Sequence, residues 1–428
     1  MATFVCVSSA IAQPFSPPFT NLDSLESVYQ TSIAYEKQGD STAALGNLDS
    51  ALVFYQREAK ILLDLRKIEE KNVDFKFALT AAYAKLSETH HALGNLTQAL
   101  DFANKDFELS RDLYQSKPDD PEWKHGLAIS YQKLGEIAQQ LGNLDQALDF
   151  FNQNLRLSQQ LLQSDPKSLE NKQLASIAYS KLGDTHLALG NRSKALTFYQ
   201  KDFKISQQLY QSQPKNLEYK QGLAVAYAKL GEMSLLAKNY DRALELHQEE
   251  EFLFMRLHRL MPDHLEFRQG LAIAYQNLGD LYAEQRKKTK ALSFYRKAFD
   301  LLDTLHQIAP KQLEFKYNLS IVAARIGETS GDLRKTEDEL LFYQKYYHLS
   351  QQLHQFAPTN LEFKNSLAIA HVKLAEFYRL SHPSVAKTHF EKAEQLFSET
   401  VQASPKAIYY QNNLEFVRED LKIGRAHV

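Results

Sequence analysis

The chain has 428 residues, of which 44% are hydrophobic and 24% charged, as expected for a folded protein with a sizeable core. Its 50 basic and 52 acidic residues nearly cancel, so the chain lacks the basic surface that would hold a phosphate backbone, and nucleic acid is not an expected partner. The single cysteine, Cys6, excludes an intramolecular disulfide. The sequence contains no run of eighteen apolar residues, so a membrane-spanning helix is not predicted.

Residues 1–21 differ in character from the rest of the chain. The apolar segment Thr3–Ile11 leads into Ala10-Ile11-Ala12 before Gln13, which resembles a signal-peptidase site. A basic segment before it is missing, because the first lysine is Lys37. Two interpretations stay open: a signal peptide clipped by a misplaced start and followed by a Pro-rich spacer, or a disordered tail of a cytoplasmic protein. We favour the first, which predicts export to the periplasm or the extracellular space.

From Leu22 onward the sequence repeats every 48 residues. The stretch LEYKQGLAVAYAKLGE at 217–232 returns as LEFRQGLAIAYQNLGD at 265–280. A fixed period predicts one elongated body of stacked units that share a core. We expect a charged helix at 405–422 to cap the last unit or begin a ninth. The eight full copies that we expect, copy one to copy eight, are 22–69, 70–117, 118–165, 166–213, 214–261, 262–309, 310–357 and 358–404.

Each copy is predicted to form two helices. In copy three, Asp120 is a good N-cap and Pro121 a good first helical residue. Apolar residues then follow at spacings of three and four, the period of a helix with one buried face. Gly142 ends this first helix, and Asp165-Pro166 ends the second. Connections this short predict antiparallel neighbours.

Copy three carries a series of small, apolar and aromatic residues at fixed spacing: Tyr131, Leu134, Gly135, Ala138, Gly142, Ala147 and Phe151. This series, which recurs in other copies, resembles the tetratricopeptide (TPR) repeat. The match covers 22–404, although 48 residues replace the usual 34 of the family, which adds about two turns to each helix. The resemblance implies an all-α fold, a right-handed α–α superhelix of antiparallel hairpins whose concave face binds a protein or peptide.

One acidic position recurs in the first helix of each copy from copy two on, in the part that faces the concave groove in the TPR family. A ladder of free carboxylates there would attract basic or amide-bearing partners. A basic residue three positions earlier in most copies offers the alternative, a solvated face of charge pairs. The candidate partner-binding residues are Glu88, Glu136, Asp184, Glu232, Asp280, Glu328 and Glu376.

The repeat also predicts burial and packing. We expect the leucines Leu134, Leu182, Leu230 and Leu278 to be buried and the lysines Lys133, Lys181 and Lys229 to be exposed. In copy seven Glu339 replaces the small alanine of the helix contact, so we expect the helix start at 335–339 to shift or fray.

The function predicted from these observations is that of a non-enzymatic scaffold binding a partner segment. No Gly-rich phosphate loop, HExxH or GxSxG motif occurs, so we expect no catalytic residue, cofactor or metal. The alternative is the sensor or scaffold region of a larger signalling enzyme whose catalytic domain lies outside this chain. Ile423–Val428, IGRAHV, can be encoded by a common sequencing adapter, so we expect an artificial C-terminus rather than a natural tail.

Overall fold

The computed structural model describes residues 22–426, and the side chains of residues 25–421. Residues 1–21, with their signal-peptide interpretation, and residues 427–428 of the adapter-like hexapeptide lie outside this range. The described part forms helices and no strand. The helices are α1 Leu22–Ala44, α2 Leu48–Ile68, α3 Val73–Ala92, α4 Leu96–Ser116, α5 Pro121–Gln140, α6 Leu144–Ser164, α7 Leu169–Ala188, α8 Arg192–Ser212, α9 Leu217–Leu236, α10 Tyr240–Leu260, α11 Leu265–Glu284, α12 Lys288–Ile308, α13 Leu313–Asp332, α14 Thr336–Phe356, α15 Leu361–Tyr378, α16 Pro383–Ala403 and α17 Ile408–Ala426.

The helices pack in chain order. Each odd-numbered helix from α1 to α15, the first helix of its copy, packs against the following even-numbered helix, and each pair packs against the next, with α17 on α16 at the end. The fold class is therefore the all-α superhelix of antiparallel hairpins that the sequence predicts. The helix α17 ends at Ala426, four residues beyond the predicted end at 422.

Local signals in the sequence set the helix ends as expected. The Asp120 carboxylate accepts a hydrogen bond from the backbone N–H of Glu122 and caps α5. Between α5 and α6, Gly142 has a φ of 81° and the N–H of Asn143 donates to the carbonyl of Ala138 at 2.8 Å. The same left-handed position in copies five to seven holds Lys238, Arg286 and Arg334, with φ near 58°.

Small residues let the two helices of a pair approach. A Cβ on Gly135 of α5 would lie 2.6 Å from the ring of Phe151 on α6, so this contact requires glycine. The predicted burial of the leucines is confirmed, since none of Leu134, Leu182, Leu230 and Leu278 is more than 9% exposed.

The expected shift of the helix start in copy seven is wrong. The helix α14 begins at Thr336, which is in register with the start of α12 at Lys288. Glu339 is half-buried and its carboxylate lies against Gly331, where a Cβ would come within 2.6 Å of Glu339 Oε1. Glycine at 331 thus makes room for the larger side chain, and the helix start does not need to move.

Successive turns of the superhelix touch each other. The Ser404 hydroxyl donates to the Gly142 carbonyl at 2.7 Å, and Lys406 pairs with Asp145 at 2.6 Å. Such contacts join residues 261 or 262 positions apart, which at 48 residues per copy is about five and a half copies. We call this contact the seam. Its lower side consists of Gly46, Gly94, Gly142 and Gly190, and its upper side of Leu265, Ala309, Leu313, Ala357, Leu361, Ser404 and Ile408.

The seam encloses a channel lined by the first helices. Glu362, at the start of α15, lies close enough to Asp184 on α7 for that carboxylate to act on it. Burial, followed by the charges of Glu314 and Asp184, raises the pKa of Glu362. Side chains of copies four, seven and eight therefore share one interior, and the second helices form the outer layer.

Candidate functional site

The acidic residues singled out in the sequence lie on the first helices and are mostly paired with bases of the next copy. Lys181 binds Glu136 at 2.7 Å, Lys229 binds Asp184 at 2.8 Å and Arg325 binds Asp280 at 3.1 Å. Because each pair joins residues 45 apart, it bridges two neighbouring first helices. We call this series the charge ladder. Its other members are Lys85 with Glu36 and Asp40, Lys133 with Glu88, and Lys373 with Glu328.

The expected exposure of the lysines is wrong. Lys133 is only 8% exposed, and Lys181 and Lys229 are half-buried. Their stems cross the gap between two first helices before the ammonium reaches its carboxylate. The same geometry departs from both sequence interpretations, because the carboxylates are neither free nor paired mainly within their own helix.

Electrostatics agree with this pairing. Burial by itself would raise the pKa of Glu136, but the Lys181 ammonium outweighs it and the pKa is lowered. Burial by itself would lower the pKa of Lys181, and Glu136 reverses that effect, so the pKa is raised. Some ladder carboxylates also accept a tyrosine hydroxyl from the second helix, as Asp184 does from Tyr199 at 2.7 Å.

The charge ladder has one gap, at copies five and six. Asn277 stands where the other copies have a base, so Glu232 lacks a partner from the next copy. Desolvation by the surrounding helices raises the pKa of Glu232, although its side chain is exposed. Asn277 instead donates to Glu250 at 2.9 Å, and this carboxylate also contacts His247 at 2.8 Å.

A second polar column lies beneath the ladder, on the second helices, and sequence reasoning missed it. Its members are all buried, and we call them the floor residues. The signal was present in the sequence, because the positions recur at 48 residues, but they fall within an apolar stripe. Later copies replace them with Ala298 and Tyr346. The floor residues are Glu58, Asp106, Asn154, Asp202 and Glu250.

Burial perturbs three of these carboxyl groups, and its effect exceeds that of the lysine charges nearby. It raises the pKa of Glu58 to about 8, where Glu36 adds to the effect. It raises the pKa of Asp106 to about 6 and that of Asp202 to about 6, although serine hydroxyls donate to both and oppose the shift. These groups are poised to titrate near neutral pH.

Two equivalent cavities open above Asp106 and Asp202. The first cavity, of about 690 Å³, lies between α3 and α5, and the second, of about 590 Å³, lies between α7 and α9. Their lining residues correspond at an offset of 96 residues, or two copies. A third cavity, of about 270 Å³, lies between α13 and α15, where Tyr346 replaces the acid and Tyr409 and Phe416 of α17 form one side.

The described residues offer few other candidates for chemistry. Among residues 25–421, no three histidine, cysteine, aspartate or glutamate side chains come together as a metal site. No described helix is both long and apolar enough to cross a membrane.

Comparisons with known proteins relate two of the copies to a known repeat. The sequence profile of the tetratricopeptide repeat matches residues 128–161 and 272–301. No curated protein sequence matches the chain.

Solved structures with a similar fold have low sequence identity. A Rap protein complexed with competence and sporulation factor is 12% identical, with 94% of this chain and 99% of that chain covered and a TM-score of 0.48. BtubC (BKLC) from P. vanneervenii is 18% identical, with 60% and 92% covered and a TM-score of 0.45. A tetratricopeptide repeat protein from Parabacteroides merdae ATCC 43184 is 17% identical, with 78% and 99% covered and a TM-score of 0.37.

Proposed function

We propose that this chain, in which copies three and six match the tetratricopeptide-repeat profile, is a non-enzymatic interaction protein that holds an extended protein segment inside its channel. The observation that carries this proposal is the channel itself, which is closed by the seam and lined by polar groups. An extended segment has free N–H and C=O groups along its whole length, and a repetitive polar wall can satisfy them at regular intervals.

The ladder carboxylates are the partner-binding residues of this proposal. The six that have a basic neighbour remain 22–63% exposed, so each has oxygen lone pairs left for a guest. Because the bases already neutralise them, they act as hydrogen-bond acceptors for amide N–H groups more than as free charges. Glu232 is the exception, because it forms no ion pair within the described residues and keeps its carboxylate for a cationic group.

A photocrosslinking experiment tests the channel as the binding surface. Benzoylphenylalanine is placed at Tyr409, which lies beside the third cavity and is 55% exposed. The matched control places it at Phe252 of α10, an outer-layer residue that is 48% exposed. We expect irradiation in cells to trap a protein at position 409 and not at 252.

Two results would contradict the proposal. Equal trapping at both positions would show that the channel is not the preferred surface. A product at position 409 that ribonuclease removes and protease does not would replace a protein guest by RNA.

A further inference from the structure

The first and second cavities are open because of two residues each, one on a second helix and one on a first helix. In the first cavity these are Ser110 and Gly126, and in the second they are Ser206 and Gly222. A Cβ placed on Gly126 or on Gly222 would meet no atom of the described residues within 4 Å. Packing therefore does not require these glycines, although a glycine inside a helix destabilises it relative to alanine.

Other copies show what closes the same space. Copy four has Leu174 where copies three and five have Gly126 and Gly222, and Leu174 is buried in the core. Copy six keeps a glycine, Gly270, but Phe254 on α10 occupies the space in front of it. Serine and glycine thus occur together at these two positions in two places, two copies apart, and each place has an open cavity.

The same two places carry an aspartate as the floor residue. Asp106 and Asp202 are 3% and 5% exposed and line the first and second cavity, respectively. Asp106 accepts hydrogen bonds at 3.0 Å from Ser110 and from Ser130. Asp202 accepts hydrogen bonds from Ser176 and Ser206 through Oδ1 alone, so Oδ2 has no donor within the described residues. Within the part of the chain that the structure describes, neither carboxylate forms an ion pair, although the charges of Lys133 and Lys229 act on Asp106 and Asp202, respectively.

The rims of both cavities add negative charge. Glu122 and Glu170 line the first cavity, and the equivalent Glu218 and Glu266 line the second, all four being exposed. The lysines of both cavities are already engaged in the charge ladder. A buried carboxylate that faces an open cavity, with further acids above it, is suited to a guest that carries a positive charge.

We propose that the two cavities are binding sites for two basic side chains, lysine or arginine, of one extended segment lying in the channel. This inference rests on the proposed function and adds the chemistry of the guest. Asp106 and Asp202 would each receive the cationic head, the rim glutamates would attract it, and the missing side chains at Gly126 and Gly222 make room for its stem. The spacing of two copies then selects segments with two basic residues at a fixed separation.

The chain contains precedents for the variants that test this. Gly126→Leu and Gly222→Leu each introduce the residue that copy four has naturally at this position, Leu174. Asp106→Asn and Asp202→Asn introduce the residue of copy three, Asn154, and keep the cavity volume. Circular dichroism checks that every variant is folded.

The probes are arginine amide and peptides in which Gly-Ser spacers of varied length separate two arginines. Calorimetry should give two arginine-amide sites in the wild type, one in either leucine variant and none in the double variant. Both asparagine variants should weaken binding at the altered site at least about tenfold. One spacer length should bind at least about tenfold more tightly than arginine amide, and either leucine variant should abolish that gain.

Fluorescence assigns the site that is lost. Trp123 is the only tryptophan of the chain, and its ring lies 5.1 Å from that of Phe77, which lines the first cavity. Its emission should respond to arginine amide in the Gly222→Leu variant and not in the Gly126→Leu variant.

Three results would overturn the inference. Binding that survives in the double leucine variant would place the cations elsewhere. Arginine amide or spermidine binding with no gain at any spacer length would make the cavities sites for free amines rather than for a segment. Undiminished crosslinking at Tyr409 in the double leucine variant would show that the partner binds in the channel without using the cavities. The proposed function itself is tested separately: if the wild type gives no crosslinked product at Tyr409, the proposed function is wrong.

Discussion

The turns inside copies one to four and those inside copies five to seven have nearly the same backbone but different residues. Gly46, Gly94, Gly142 and Gly190 have φ of 75–81°, and the basic residues that replace them later have φ of 58–59°. The glycines lie under the next turn of the superhelix, whereas the basic side chains are exposed and no described residue covers them. A left-handed backbone conformation alone therefore does not require glycine at these turns. The close contact across the seam does require it, because a side chain there would meet the next turn of the superhelix.

The upper side of the seam shows the complementary difference. The residue that follows the second helix is Ala309, Ala357 or Ser404 in copies six to eight, where it packs on a glycine turn. In the first five copies the same position holds larger residues, which no turn needs to accommodate. They are Glu69, Lys117, Asp165, Gln213 and Met261. Small residues thus occur on both sides of the contact and only where turns meet.

The largest expected effect comes from exchanging the two kinds of turn. Gly142→Lys would place a Cβ 2.8 Å from that of Ser404 and add a positive-φ side chain, so we expect it to lower the free energy of unfolding by at least about 3 kcal/mol. Urea unfolding measures the loss, and small-angle X-ray scattering should show a larger radius of gyration if the seam opens. The control Lys238→Gly should change stability by less than about 1 kcal/mol. If the two exchanges changed the free energy of unfolding equally, contact across the seam would not be the reason for glycine at 142.

The next largest effect compares the floor position of copy one, which holds the acid Glu58, with that of copy six, which holds Ala298. The folded-state pKa of Glu58, about 8, is above that of an unfolded glutamate, so its contribution to stability is complete below about pH 4 and is lost as pH rises through 8. Between about pH 5 and pH 9 we expect the free energy of unfolding to fall by roughly 2–4 kcal/mol from this group. In Glu58→Gln this part of the pH dependence should disappear. An unchanged slope would mean that Glu58 is not the buried acid that titrates.

A smaller effect compares the intact ladder in copy three with its gap in copy five. Glu136→Gln leaves Lys181 without its partner and should lower the free energy of unfolding by about 1 kcal/mol, a modest value because both side chains keep contact with water. Glu232→Gln removes a carboxylate that lies near Asp184 and Asp280, so stability should stay the same or rise slightly. Thermal unfolding at neutral pH compares the two variants. The reverse order of their melting temperatures would contradict the ladder.

The smallest effect concerns the ion pairs of the seam. Lys406 and Asp145 are each about two-thirds exposed, so Lys406→Ala should cost no more than about 0.5 kcal/mol, and less at high salt. Lys215 occupies the same position after its proline and pairs with none of the described residues across the seam, so Lys215→Ala is the matched control. A large loss in the first variant would mean that charge, rather than the fit of glycine to small residues, holds the turns together.

Much of the hairpin architecture could be predicted because it depends on local signals. Asp120, Pro121 and Gly142 act within a few residues along the chain, and the leucine stripe follows from the period of a helix. The 48-residue repeat then copies these local rules along the chain, so Leu182 is buried for the same reason as Leu134. The prediction that the lysines are exposed is wrong, because their burial depends on a neighbouring helix and not on the local sequence.

Only the tertiary structure decided which residues meet across copies. Lys181 pairs with Glu136 of the preceding copy and not with Asp184 on its own helix, because two first helices lie within reach of one side chain. Gly126 and Gly270 look alike in the sequence, yet one faces a cavity and the other faces Phe254. The seam joins residues about 262 positions apart, and its register is the sum of small rotations over more than five copies. No local pattern encodes such a sum, so the channel and its cavities appear only once the superhelix has closed.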